Sequence, residues 1–222
     1  IQRDGDLYTL TGDITRSMEV LVIERNNMTL DGAGYTVRST GVGSGLWNAI
    51  SLSGRSNITI KNMKLRYSGY GSPGIWLSES SNNSIVGNDI TGNTYTGASI
   101  SFGGSSNYNS IVGNNIGVNR EYGIYFSASA NNNNISGNSI RYNREVGIYF
   151  GESSNYNSII GNDIKNTQDR NAIYFGGSSN NNTIARNNIT NTGSYGSSIG
   201  LSGSNNSIFG NNITSNRFGI WL

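Results

Sequence analysis

Apolar residues in this chain stand two apart over short stretches, and the stretches recur. The motif x-I-x-G-N-x-I appears as SIVGNDI from Ser84, SIVGNNI from Ser110, NISGNSI from Asn134, SIIGNDI from Ser158, TIARNNI from Thr183 and SIFGNNI from Ser207. Its first Ile falls at 85, 111, 135, 159, 184 and 208, giving spacings of 26, 24, 24, 25 and 24. A second motif keeps the same beat: AISL, GIWL, SISF, GIYF, GIYF, AIYF, SIGL and GIWL place an Ile at 50, 75, 100, 124, 148, 173, 199 and 220. Alternation with a period of two over three or four positions predicts short strands, not helices.

Three such strands fit in each repeat, bounded by Gly, Asn or Ser, with no segment long enough for a crossover helix. Successive repeats must then stack strand on equivalent strand. The expected fold is all-β: a parallel β-helix, or solenoid, of about nine coils of about 24 residues with three short sheets. Rungs stack about 4.8 Å apart, and no coil buries its apolar face without a neighbour. The expected core comprises Ile85, Ile111, Ile135, Ile159, Ile184 and Ile208 in one column, Ile90, Ile116, Ile140, Ile164, Ile189 and Ile213 in another, and Ile124, Phe126, Ile148, Phe150, Ile173 and Phe175 from the second motif.

A single domain spans residues 1–222, irregular over 1–45 and regular over 46–222. NITIKNMKL (Asn57 to Leu65) is in step with the later repeats. NNMTLDGAGYTV (Asn26 to Val37) reads as an earlier coil with a longer turn, and LYTLTGDIT (Leu7 to Thr15) as the strand that begins the stack. The sequence ends on GIWL, the opening of a further coil, so Trp221 and Leu222 are expected to continue into more chain, or to be covered by self-association or a further domain. It opens on Ile1 rather than Met, as a processed or excised chain does.

Composition sharpens this picture. Hydrophobic residues make up 34% and charged residues 13%, while Asn occurs 36 times, Gly 31 times and Pro once, so the chain turns often and regularly. Two Asn columns accompany the Ile columns: Asn88, Asn114, Asn138, Asn162, Asn187 and Asn211, and Asn83, Asn109, Asn133, Asn157, Asn182 and Asn206. An Asn at the same corner of every coil passes hydrogen bonds up the stack.

Charge and chemistry exclude much. The net charge of +2, with eight Lys/Arg against six Asp/Glu before residue 71 and seven of each after it, argues against a nucleic-acid partner. No apolar run approaches a membrane span. Without Cys or His there is no disulfide, thiolate nucleophile, ordinary zinc site or Ser-His-Asp triad.

YTLTGDIT, VLVIERNNMTLDGAGYTV, NITIKNMKL and the copies of SSNNSIVGNDI…GIYF resemble the NosD-like right-handed parallel β-helix repeat family, which is related to carbohydrate-binding and sugar-hydrolase β-helices. The resemblance covers nearly the whole chain and rests on core and corner positions. It implies a right-handed helix with three sheets and an extracytoplasmic setting, extracellular, at the cell surface or periplasm-like, of the kind found in large archaeal surface proteins. The family's naming member serves copper-site assembly. This chain departs from that role, since its soft ligands are Met18, Met28 and Met63 alone.

Two groups of residues are candidates for chemistry. Glu121 and Glu145 share a slot on adjacent coils, at a spacing that suits a glycosidase pair. Every residue of a β-helix has such a neighbour, however, and the column changes sign at Arg170 while Arg120 and Arg144 are followed by Asp169, as a solvated charge ladder does. Glu79 with Glu152, and Asp89 with Asp163, lie three coils apart and form no dyad. The second group is the outward column Trp76, Ser101, Tyr125, Tyr149, Tyr174, Gly200 and Trp221, a nearly continuous aromatic stripe. Flat aromatic faces suit sugar rings, and Trp and Tyr also suit protein contacts.

The expected role is a non-catalytic structural or surface-layer module that binds a polysaccharide or surface glycan through Trp76, Tyr125, Tyr149, Tyr174 and Trp221. The alternative is a polysaccharide-active enzyme, a glycoside hydrolase or lyase using Glu121 and Glu145. No cofactor is called for, although calcium at a turn of Asp and Asn oxygens stays open. Eight Asn-x-Ser/Thr sequons, at Asn27, Asn57, Asn82, Asn134, Asn181, Asn188, Asn205 and Asn212, offer glycosylation sites in a suitable host.

Overall fold

The computed structural model describes residues 1–41, 47–68, 71–93, 97–127, 129–165, 167, 169–190 and 195–222. Among the described residues every regular element is a β-strand, and the strands form three sheets visited in turn. The first sheet has ten strands and the other two have nine each. Nine coils therefore each give one strand to every sheet, and the molecule is a right-handed parallel β-helix. One coil runs Ser110–Val112, Asn115–Asn119, Tyr122–Phe126, and the next Asn134–Ser136, Ser139–Asn143, Val146–Phe150.

Register follows the repeat. Ile85, Ile111, Ile135, Ile159, Ile184 and Ile208 pair rung to rung in the first sheet, and Ile90 through Ile213 do so in the second. All are buried except Ile208 and Ile213, which are partly covered at the last coil. In the third sheet Phe102, Phe126, Phe150 and Phe175 stack inside the helix with centroids 4.3, 4.5 and 4.5 Å apart and planes within 8° of parallel. The rung spacing alone produces this, because identical side chains on consecutive rungs have nowhere else to place their faces.

Asn closes the corners on either side of the first sheet. Along Asn83, Asn109, Asn133, Asn157, Asn182 and Asn206, and again along Asn88 to Asn211, each Oδ1 after the first accepts the backbone N–H of the Asn one coil earlier at 2.8 to 3.0 Å, while Asn83 and Asn88 accept from Ile58 and Met63. The side-chain amides donate to main-chain carbonyls of the coil before, as Asn138 does to Ile111 at 2.8 Å. The Gly of the G-N pair has a local reason: Gly87, Gly113, Gly137 and Gly161 take φ of 63° to 67°, a left-handed bend that costs a residue without a Cβ little.

The start of the stack differs from expectation. LYTLTGDIT holds two strands, Leu7–Thr9 and Ile14–Arg16, and a further strand, Gln2–Asp4, pairs antiparallel with Leu7–Thr9. Gly5 at φ 57° makes the tight turn between them. At the other end Phe218–Trp221 pairs with the coil before it, and Trp221 and Leu222 stay exposed, at 59% and 82%.

Candidate functional site

Alternation along the third sheet decides which side chains face out. Ile124 and Phe126 are buried in the core, so Tyr125 between them must project from the opposite face. The same logic, carried by the register, puts Trp76, Ser101, Tyr125, Tyr149, Tyr174, Gly200 and Trp221 in one outer column.

The column is not a uniform row of free faces. Tyr125 and Tyr149 stack on each other at 5.2 Å with planes 12° apart, and Tyr149 stacks on Tyr174 at 5.7 Å. Tyr122, which periodicity did not single out, leans against Tyr125 at 4.9 Å and Tyr149 at 5.4 Å. These rings cover one another and are only partly exposed. Burial, and then Glu145 and Glu121, push the Tyr122 phenol up to about 12; burial, and then the neighbouring Tyr125, Tyr174 and Glu152, also raise Tyr149. Both are neutral donors at physiological pH.

Ser101 interrupts the column between Trp76 and Tyr125, and there the surface opens into a pocket of about 350 Å³. Its lining includes Asn48, Pro73, Trp76, Ser101, Glu121, Tyr122 and Tyr125. Gly103 makes room for the indole, since a Cβ there would stand 2.8 Å from Trp76 Cη2. Asn48 is 4% exposed, and its Oδ1 is buried without a partner among the described residues; its Nδ2 donates to Glu19 at 3.4 Å. Apolar walls with a few convergent polar atoms are how small-molecule sites are built. Sequence reasoning missed Asn48, Tyr122 and the pocket itself. The signals were the small residue in an aromatic column and the single Pro, Pro73, at the turn before GIWL.

The two glutamates are neighbours in the main chain, with Glu145 N–H donating to Glu121 O at 3.0 Å, but their carboxylates are engaged in opposite directions. Glu121 Oε2 accepts the Gly97 N–H from the coil before at 3.0 Å, whereas Glu145 pairs with Arg170 on the coil after at 3.3 Å. Arg144 pairs with Asp169 at 2.7 Å. Acid therefore stands over base in both columns. Asp89 is held by Arg66 and Asn115, and Asp163 by Arg141, Lys165 and Asn188. Burial acts to raise the Asp163 carboxyl, but those hydrogen bonds prevail and hold it below the usual range. Among the described residues no three His, Cys, Asp or Glu side chains come together.

The family described as "Periplasmic copper-binding protein (NosD)" matches the chain over residues 10–172. A comparison with curated proteins gives no match. Among solved structures, a point mutant of the periplasmic alginate epimerase AlgG superposes with a TM-score of 0.69 at 16% identity, covering 85% of this chain and 45% of that one. The Dettilon tailspike protein (gp208) superposes at 0.59 with 17% identity, covering 92% and 46%. DFA-IIIase from Arthrobacter chlorophenolicus A6 in complex with GF2 does so at 0.57 with 15% identity, covering 86% and 51%. The chain spans about half the length of these proteins, and the likeness is one of fold.

Copper is held by His, Cys or Met donors. Here there is no His or Cys, Met18 is exposed on a turn, and Met28 and Met63 are buried in the apolar core. These residues do not fit a copper centre.

Proposed function

Since the chain belongs to the NosD family, we propose that it is an extracytoplasmic β-helix module of the carbohydrate-binding kind, a rigid non-catalytic element that holds a glycan against the outer face of its third sheet. The observation that carries this reading is the pocket over Ser101, walled by Trp76 and Tyr125 and backed by the stacked Tyr149 and Tyr174. Aromatic walls meet the apolar face of a sugar, and the buried Asn48 Oδ1 awaits a donor such as a hydroxyl. Support for a non-catalytic role comes from Glu121 and Glu145, whose carboxylates are committed to Gly97 and Arg170 instead of converging on one point. The family's setting favours the periplasm or cell surface, and among the described residues no helix is long and apolar enough to cross a membrane.

A glycan array tests the proposal. Binding to a defined set of glycans, lost in Tyr125→Ala and weakened in Tyr149→Ala, is the expected result. No binding to any glycan would leave only a spacer role. Release of reducing ends or unsaturated products from a polysaccharide panel, abolished in Glu145→Gln, would replace the module with an enzyme.

A further inference from the structure

Resting on the carbohydrate reading above, we infer that the pocket over Ser101 is a subsite for one non-acidic hexopyranose unit, gripped between Trp76 and Tyr125 and closed to uronic acids. Spacing is the first argument. Trp76 and Tyr125 leave rungs two apart, about 9.6 Å at the spacing of a β-stack. A ring with an aromatic group at van der Waals distance on each side needs about 7 to 8 Å, so two rungs admit it and one does not. The rings of Tyr125, Tyr149 and Tyr174, one rung apart, fill their intervals with each other. The small Ser101 side chain, itself 6% exposed, forms the floor between Trp76 and Tyr125, and the Trp76 indole leans over Gly103 on the Ser101 rung to wall one side of the pocket.

Polarity is the second argument. Asn48 Oδ1 is an acceptor, buried and unpartnered, and Glu121 is a second acceptor whose other carboxylate oxygen is anchored by Gly97. Both ask for donors, which sugar hydroxyls supply. Among the described residues that line the pocket, Glu121 alone is charged, and no Lys or Arg is present. A sugar carboxylate would bring like charge into a partly enclosed site without a counter-ion. Another hollow, of about 520 Å³ and lined by Arg144, Glu145, Asp169 and Arg170 among others, offers no free cation among the described residues that line it, because each Arg is already paired.

Isothermal titration with cellohexaose, maltohexaose, chitohexaose and a galacturonate hexamer, beside thermal melts of each variant, tests the inference. At least one neutral oligosaccharide should bind, with the galacturonate about tenfold weaker or more. Ser101→Tyr, which completes the aromatic column, should weaken the neutral ligand by about tenfold or more while keeping the melting temperature. Glu121→Gln should narrow the gap between neutral and acidic hexamers. Equal or tighter binding of the galacturonate overturns the inference. So does undiminished binding by Ser101→Tyr, which would place the glycan along the column and leave the broader reading standing, provided Tyr149→Ala still weakens it. Failure of the wild-type protein to bind any of the four defeats both readings for these sugars.

Discussion

Replacing Asn138 by Leu cuts one Asn ladder in the middle of the stack, where the side chain is 1% exposed. Asn138 Oδ1 accepts the Asn114 backbone N–H at 2.9 Å, and Asn138 Nδ2 donates to the Ile111 carbonyl at 2.8 Å and to Asn162 Oδ1 at 2.9 Å. Leu keeps the volume and removes the bonds. The buried Asn114 N–H is then left without an acceptor at about 1 to 3 kcal/mol, and the lost bond to Ile111 adds about 1, for a total of about 2 to 4 kcal/mol. The apolar gain of Leu works against this figure, which makes the test severe. Asn211→Leu removes the equivalent bonds to Asn187 and Ile184 at the last coil, where the side chain is partly exposed and water can substitute, so its cost should be less than half as large. Urea unfolding followed by circular dichroism measures both, and native-state hydrogen exchange should show faster exchange at the Asn114 amide. An Asn138→Leu protein within about 0.5 kcal/mol of wild type would refute the ladder as a source of stability.

Other outcomes follow from the same geometry. Phe126→Ala removes the ring between Phe102 and Phe150 and should cost about 3 to 5 kcal/mol in thermal or chemical unfolding; a loss under 1 would mean the stack is not packed as described. Tyr122 binds its proton more tightly folded than unfolded, so its contribution is complete below about pH 10 and is lost as pH rises through about 12. Tyr122→Phe should therefore flatten the alkaline limb of the stability curve, and an unchanged limb would contradict that assignment. Copper titration of the purified protein should show no stoichiometric site; one equivalent bound at submicromolar affinity would overturn the donor argument.

The repeat in the sequence made most of the fold legible, because a β-helix is specified by what recurs. Ile at a fixed slot means a core column, and Asn at a fixed slot means a corner ladder. What stayed hidden was whatever one coil does alone. The antiparallel strand Gln2–Asp4 occurs once and carries little apolar patterning. In the buried network the Tyr67 hydroxyl donates to Asn119 Oδ1 and meets the Ser99 hydroxyl, and Asn119 Nδ2 reaches Ser99 and Asn143; Asn119 and Asn143 share a repeat slot, but nothing in the repeat announces Tyr67 or Ser99 as their partners. The outer column was readable residue by residue, but not the way its rings stack, which depends on side-chain torsions. Ser101 looked like a break in a pattern, and in three dimensions that break is the floor of the pocket. Asn48 could not be found from periodicity, since it lies just before the strand Ile50–Ser53 and only the fold brings it to the pocket that Trp76 lines.

A crystal structure of the protein with a bound neutral hexasaccharide would test the central claim most directly. One sugar ring should lie over Ser101 between Trp76 and Tyr125, with a hydroxyl donating to Asn48 Oδ1. Density for the sugar only elsewhere, against the charge ladder of Arg144 and Glu145 or at the exposed final rung around Trp221, would contradict it.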